Sequence, residues 1–164
     1  MRCLVIADVH ANLAALEAVL GDAGPFDEAW CLGDLVGYGP DPNECVDLIR
    51  SLKHQAVAGN HDYAAVGQVS LRDFNEGARR ATEWTASRLT AENRRFLESL
   101  PLQEQIGDFC LVHGSVRFPV WEYIDTPQAA LENLQLQPAR YCLVGHTHVP
   151  VMYREATGII RRAR

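Results

Sequence analysis

The sequence lacks an apolar stretch long enough to cross a membrane, and its first residues lack a charged-then-apolar secretion signal. The first apolar run, 3–7, is broken by Asp8 and predicts a buried strand. Lysine is almost missing, since Lys53 is the only one, and the net charge is −6. Because no basic stripe is available for nucleic acid or an anionic bilayer, we expect neither as a partner. The resulting expectation is a cytoplasmic protein.

Paired cysteine motifs are also absent. The five cysteines show no CxxC spacing, and their number is odd. Four of them lie inside apolar runs that predict strands: Cys3, Cys31, Cys110 and Cys142. We therefore predict buried free thiols rather than disulfides or a zinc knot, as suits a reducing compartment.

The order of the apolar segments predicts an α/β fold in a single domain, 1–164. Short apolar runs alternate with helical patterns, which is typical of a layered α/β domain. Strands are predicted over 3–8, 29–34, 55–60, 109–114 and 141–146. Helices are predicted over 12–20, 41–52 and 127–134, with two or three more in a polar helical segment at about 64–100. Asp41 is predicted to cap its helix, and 149–162 to form a hairpin that turns at Thr157-Gly158.

Each predicted strand ends in residue types that can bind metal ions. The five sequences are Asp8-Val9-His10, Gly33-Asp34, Gly59-Asn60-His61-Asp62, His113-Gly114 and Gly145-His146-Thr147-His148. They contain five of the six histidines, and in α/β sheets ligands gather beyond the carboxyl ends of strands. Carboxylates and neutral imidazoles bind first-row divalent ions, and a carboxylate can bridge two of them. A metal site is therefore favoured over a chance set of polar residues.

Taken in order, the motifs D-V-H, G-D-L-V-G, G-N-H-D, H-G and G-H-T-H resemble those of the calcineurin-like metallophosphoesterases. The resemblance covers the chain from its start to about residue 153. The segments DVHANLAALEAVL, GDLVGYGPDPNE and HGSVRFPVWEYI are further similar to a small bacterial single-domain branch related to diadenosine tetraphosphatases and serine/threonine phosphatases. The resemblance implies two stacked mixed β-sheets flanked by helices.

The resemblance also implies a set of seven metal ligands around two divalent ions. One group would hold the first ion, a second group the other, and one carboxylate would bridge them: Asp8, His10 and His148; Asn60, His113 and His146; and Asp34. Manganese, iron, zinc, nickel and cobalt all suit such a site, with manganese expected to serve in an assay. A hydroxide shared by the two metals would attack the phosphorus of a small phosphoester in line.

Residues beside the ligands are assigned roles on the substrate. His61 would face the phosphate together with Asn60 and assist the leaving oxygen, and Asp62 would orient His61. Arg117 would contact the phosphate, or else form a surface salt bridge. Tyr38 would line the substrate mouth, or else pack under its loop. These assignments make the chain a metal-dependent phosphodiesterase or phosphatase.

Two departures from the family pattern modify this expectation. Gly37-Tyr38-Gly39 stands where protein serine/threonine phosphatases carry an aspartate–arginine pair, which weighs against a dedicated protein phosphatase. The chain also ends sixteen residues after His148, so we expect that C-terminal strands of its relatives are missing. An exposed last strand, 158–162, would then invite homo-oligomerisation. The alternative function is a non-catalytic binding module that keeps the fold.

Overall fold

A computed structural model describes residues 1–156 and 159–163 of the chain. Its first sheet contains three parallel strands, β1 (Cys3–Ile6), β2 (Glu28–Cys31) and β3 (His54–Ala56), in the order β1-β2-β3. All four residues of the central strand β2 are buried, as the apolar run from residue 29 predicts for three of them but not for Glu28. The helices α1 (Leu13–Ala23) and α2 (Pro42–Ser51) form the crossover connections.

The second sheet is mixed. Its strands β4 (Gln103–Ile106), β5 (Phe109–Val112) and β6 (Tyr141–Leu143) lie in the order β4-β5-β6, with the first pair antiparallel and the second parallel. The strand β4 is not predicted by the sequence because three of its four residues are polar. A small apolar cluster joins the two sheets: Trp30, Leu32, Val57 and Leu111. The two-sheet α/β architecture is confirmed, although the three described strands of the first sheet are parallel throughout.

The predicted helical segment contains α3 (Asn60–Val66), a 3-10 turn (Leu71–Asp73), α4 (Glu76–Arg88) and α5 (Ala91–Ser99). Since α3 begins at Asn60, the predicted strand at 55–60 is wrong at its end, and the G-N-H-D motif opens a helix instead. A further helix, α6 (Pro127–Leu136), precedes β6 as expected.

The main hydrophobic core lies between the first sheet and its helices. The amphipathic helix α2 contributes Cys45, Val46 and Ile49, each with no exposed surface. Asp41 stands at the N-cap of α2, but its side chain makes no capping hydrogen bond, so that prediction is wrong. All five cysteines are free thiols, of which Cys31, Cys45 and Cys110 are buried as predicted and Cys3 and Cys142 are partly buried.

The strands β7 (Met152–Ala156) and β8 (Ile159–Ala163) form a separate antiparallel ribbon beside α6. These two strands are the arms of the predicted hairpin, whose turn at Thr157-Gly158 lies outside the described residues. In the described part of the chain β8 pairs with β7 only, and oligomerisation through its other edge stays a prediction. No helix within the described residues is long and apolar enough to span a membrane.

Candidate active site

The loops after β1 and β2 run side by side and bring the first motif residues together. Backbone hydrogen bonds from Asp8 N to Gly33 O (3.1 Å) and from His10 N to Asp34 O (2.9 Å) continue the pairing of the strands beyond their ends. A similar bond, from Gly145 N to His113 O (2.8 Å), joins the loops after β5 and β6. The four loops meet at a cavity of about 290 Å³.

Three overlapping groups of possible metal ligands lie at this site among the described residues. The first contains Asp8, His10 and His148, the second Asp34, His113 and His146, and the third His10, Asp34 and His61. Within each group, one ligand atom of every residue lies within 4.8 Å of the others. The first two groups contain six of the seven ligands that the resemblance implies, and the seventh, Asn60, lines the cavity from the first turn of α3. The third group adds His61, which the resemblance does not imply as a ligand.

In the first group, His10 and His148 direct ring nitrogens at one point. Their Nε2 atoms are 3.1 Å apart, and Nε2 of His148 is 3.4 Å from Oδ1 of Asp8. The Nδ1 atom of His10 is 3.3 Å from the Val36 carbonyl oxygen. Because a carbonyl oxygen only accepts, Nδ1 carries the proton of the neutral ring, and the lone pair of Nε2 faces the other ligands.

The second group repeats this arrangement in the interior. His113 donates from Nδ1 to the Leu32 carbonyl oxygen (2.8 Å), and its Nε2 is 3.0 Å from Nδ1 of His146. Oδ1 of Asn60 is buried and has no hydrogen-bond partner among the described residues. An unpaired buried oxygen is costly, and a cation at this point would satisfy it.

Asp34 lies between the two groups. Its Oδ2 is 3.7 Å from Nε2 of His10 and 3.4 Å from Nε2 of His113, while Oδ1 accepts a hydrogen bond from His61 N (2.9 Å). Burial alone would raise the pKa of Asp34, but the neighbouring His113, His61 and His10 outweigh it and lower that pKa to about 2. Asp34 is therefore an ionised carboxylate in the position of a bridge.

Backbone strain is concentrated at the same residues. Among the described residues, seven other than glycine have a left-handed backbone with φ between 50° and 66°: Asp8, His10, Ala11, Asp34, Tyr38, His146 and His148. Such conformations cost about 1–3 kcal/mol each and persist where the surroundings enforce them. Five of the seven are predicted metal ligands, so the fold holds these side chains in place against the preference of their own backbones.

These donors fit divalent first-row cations. Imidazole lone pairs, an unpaired amide oxygen and two carboxylates converge on the cavity, which is the ligand chemistry of such ions. Burial alone would lower the pKa of His113, yet Asp34 and Asp8 raise it to about 9. The carboxylates of the site are therefore stabilised by a nearby positive charge, which either a protonated histidine or a bound cation can provide.

His61 lines the cavity as predicted, but Asp62 does not orient its ring. The Asp62 carboxylate accepts hydrogen bonds from Val36 N and Gly59 N, both at 3.0 Å. Consecutive helical residues point about 100° apart, so Asp62 turns back to the start of α3 and away from the imidazole of His61. The partner of His61 is instead Thr82 on α4, whose Oγ1 is 3.3 Å from Nδ1.

Arg117 does not line the cavity among the described residues, whereas Tyr38 does. The Arg117 guanidinium is paired with the carboxylates of Glu122 and Glu132, so the salt-bridge alternative describes it. Tyr38 is half-exposed and contacts the rings of His10 and His61. Nothing in the sequence points to Thr82 as a site residue, nor to three aromatic residues that line the cavity: Phe74, Trp121 and Tyr123.

The fold and the converging side chains describe an α/β protein with a candidate metal site, and comparison with known proteins assigns the family. The chain belongs to the calcineurin-like phosphoesterase superfamily, whose domain model matches residues 1–161. A crystal structure of a metallophosphoesterase from Sphaerobacter thermophilus superposes with a TM-score of 0.84 at 54% sequence identity, covering 94% of this chain and 63% of that one.

Curated relatives are similar over most of the chain. An uncharacterized protein of Methanocaldococcus jannaschii is 40% identical over 163 residues, which are 95% of this chain and 66% of that protein. A symmetrical bis(5'-nucleosyl)-tetraphosphatase of Glaesserella parasuis is 29% identical over 145 residues, or 80% of this chain and 51% of that protein. The chain thus spans about half to two thirds of the length of these relatives.

Proposed function

We propose that this chain hydrolyses phosphoester bonds with the help of two divalent metal ions. The observation that carries the proposal is the position of Asp34, an ionised carboxylate between the imidazoles of His10 and His113, at the cavity that His61 also lines. The tetraphosphatase name of the Glaesserella parasuis relative supports a reaction at phosphorus. When bound, two such ions would neutralise phosphoryl oxygens and make water a better nucleophile.

The residues of the chain supply the geometry for these ions. Asp8, His10 and His148 would hold one ion, Asn60, His113 and His146 the other, and Asp34 both. Carbonyl oxygens of Val36 and Leu32 fix the tautomers of two of the histidines, so their ligand nitrogens need no reorganisation. Metal identity depends on supply, and manganese is the first choice for an assay.

His61 would act on the leaving group. The Thr82 hydroxyl donates to the Ala78 carbonyl oxygen (2.9 Å), so it accepts from Nδ1 of His61, and Nε2 is the nitrogen free to act on substrate. In the hydrolysis, a P–O bond forms to water while the bond to the leaving oxygen breaks. Burial lowers the pKa of His61 to about 4, so the ring is neutral, with its proton on Nδ1 and a lone pair on Nε2. Nε2 would take the proton that the attacking water loses and then give it to the leaving oxygen, so that His61 is unchanged at the end of the reaction.

Asp62 would contribute as a positioning residue. Its two oxygens tie the backbone that precedes α3 to the loop after β2, at Gly59 and Val36. Gly59 must lack a side chain, since a Cβ there would overlap the carboxylate of Asp34. Asp62 thereby holds the loop of Asp34 against the helix that carries His61.

The test compares His61→Ala with His54→Ala in the manganese-loaded protein. His54 is the one histidine outside the motifs, at the start of β3 with its Nδ1 2.9 Å from the Leu52 carbonyl oxygen. We expect His61→Ala to retain two metal ions per chain and to lose about 10²- to 10⁴-fold in kcat on bis(p-nitrophenyl) phosphate. His54→Ala should keep the parent rate.

A second experiment removes the metal ions and tests whether hydrolysis depends on them. Chelation should abolish hydrolysis, and added manganese should restore it. If the parent protein binds metal but hydrolyses no phosphoester, the proposed activity is wrong and the chain is a binding module. If His61→Ala turns over at the parent rate, the role given to His61 is wrong.

A further inference from the structure

Four aromatic side chains line the cavity beside the proposed metal ligands. They come from three separate segments of the chain: Tyr38 after β2, Phe74 after the 3-10 turn, and Trp121 and Tyr123 after β5. Phe74 makes edge-to-face contacts with His61 (4.9 Å between ring centroids) and with Trp121 (5.3 Å). The proposed leaving-group histidine therefore has aromatic rings beside it in an otherwise largely polar cavity.

Tyr123 presents a free ring face at this wall. One face of its ring is stacked on His146, with centroids 4.0 Å apart and the ring planes at 17°. The residue is nevertheless 53% exposed, and Tyr38 is 51% exposed. Both of these exposed rings border the same cavity, where a planar group of a ligand can stack on them.

The loop that carries Tyr123 is held in place before any ligand binds. The Ser115 hydroxyl and the Arg117 guanidinium both donate to the carboxylate of the neighbouring Glu122, and Arg117 also pairs with Glu132 on α6. Gly114 at the start of this loop has no room for a Cβ, which would lie 2.9 Å from the Phe118 carbonyl oxygen. A rigid loop loses little entropy when a ring stacks on it.

The charge and the size of the cavity restrict which groups the substrate can carry beside the phosphoryl group that reacts. Among the described residues that line the cavity there is no lysine or arginine, and its rim carries the carboxylate of Asp73. Phosphates beyond the one held at the metal ligands would find no cation and would be repelled by Asp73. The volume of about 290 Å³ is at the small end of the about 300–1,000 Å³ usual for ligand sites.

We infer that the substrate is an ester of a single phosphoryl group with an uncharged planar aromatic group, which stacks against Tyr123 and Tyr38. This inference rests on the proposed function and deepens it. It differs from a polyphosphate substrate, whose additional charges this cavity does not match. Tyr123 and Tyr38 are then specificity-determining residues.

The first test measures binding without turnover. Phenylphosphonate and cyclohexylphosphonate carry the same charge and number of ring carbons, but only the first is planar and aromatic. By calorimetric titration of the manganese-loaded protein, we expect phenylphosphonate to bind about 2- to 10-fold more tightly, the gain typical of an aromatic pair. Adenosine 5′-phosphate then tests whether the aromatic group of the substrate is a nucleobase or a simple aryl group. Tighter binding than that of phenylphosphonate would indicate a nucleobase, and weaker binding would indicate a simple aryl ester. Both of these outcomes support the inference.

Substitutions of the two tyrosines test whether they cause the preference for phenylphosphonate over cyclohexylphosphonate. Tyr123→Leu keeps apolar area but removes the ring, and it should reduce the preference to about 1-fold, whereas Tyr123→Phe should retain it. The matched control is Tyr141→Leu, another exposed tyrosine, which lies on β6 and packs on Phe109. Equal binding of the two phosphonates by the parent protein overturns the inference, as does a preference that Tyr123→Leu and Tyr38→Leu both leave unchanged.

The second test concerns charge. Hydrolysis of diadenosine tetraphosphate is compared with that of the methyl ester of adenosine 5′-phosphate, which has the same base and one phosphoryl group. We expect a higher kcat/KM for the single phosphoryl ester, and a tenfold preference for the tetraphosphate overturns the inference. If neither phosphonate binds and neither ester is hydrolysed, the proposed function itself fails.

Discussion

Gly37 provides a direct test of whether His61 must keep its place. A Cβ at this position would lie 2.5 Å from Nδ1 of His61 and 2.9 Å from Cγ, and the φ of +93° is unfavourable for alanine. Since non-bonded heavy atoms prefer about 3.5–4.0 Å, the imidazole must move by about 1 Å in Gly37→Ala. A displacement of that size costs about 100-fold in rate.

The control is Gly107→Ala in the turn between β4 and β5. Gly107 also has a positive φ (+56°), but an added Cβ would meet nothing within 4 Å. Both variants should lose about 1–3 kcal/mol of folding free energy from backbone strain, as measured by urea unfolding. Only Gly37→Ala should lose kcat on bis(p-nitrophenyl) phosphate, with its metal content unchanged. A Gly37→Ala protein within about threefold of the parent kcat would refute this reasoning.

Three further predictions concern the ligands, the partner of His61 and a buried thiol. His148→Ala should remove the ion held with Asp8 and His10, and His146→Ala the other, as located by anomalous scattering from manganese-soaked crystals; loss of the same ion in both variants contradicts the division. Thr82→Val removes the acceptor of His61 Nδ1 and should lower kcat about tenfold or more at unchanged metal content, while Thr82→Ser should restore it; an unchanged rate in the valine variant shows that the contact is dispensable. Burial, together with the charges of Asp41 and Glu44, raises the pKa of Cys45 to about 12. Since the thiolate is the reactive form, Cys45 should resist iodoacetamide up to about pH 10 in the folded protein and react readily in urea, as followed by mass spectrometry; rapid labelling of the folded protein at pH 8 would contradict this.

The strands predicted most accurately are those with continuous apolar runs. The burial of the three apolar residues of β2 follows from its sequence, because a strand between two neighbours and two layers favours apolar side chains, whereas the burial of Glu28 does not follow. The strand β4 escapes prediction because its residues Gln103, Glu104 and Gln105 are polar, and its pairing with β5 is a tertiary contact. The start of α3 at Asn60 is also missed, because the G-N-H-D motif directly follows an apolar run and is therefore predicted to end a strand, whereas it begins a helix in the structure.

The residues of the candidate site are likewise predicted only in part from the sequence. The residue types that can bind metal and their order are visible in the sequence, and the structure brings six of the seven expected ligands into two groups, with His61 in a third. The role given to Asp62 was wrong in detail, because sequence proximity to His61 says nothing about direction, and helical geometry turns the carboxylate to Gly59 and Val36. Thr82 could not be found from the sequence, since it lies 21 residues from His61 on another helix.

The sequence by itself determined the chemistry available to this protein: which donors exist, and that they follow buried strands. Only the tertiary structure decided which lone pairs meet, which carboxylate lies between them, and which aromatic rings border the cavity. It also imposed left-handed backbones on residues such as Asp8 and His148, which no local preference favours. The physical reason is that ligand convergence depends on loops far apart in the chain, held side by side by the hydrogen bonds and packing of two sheets.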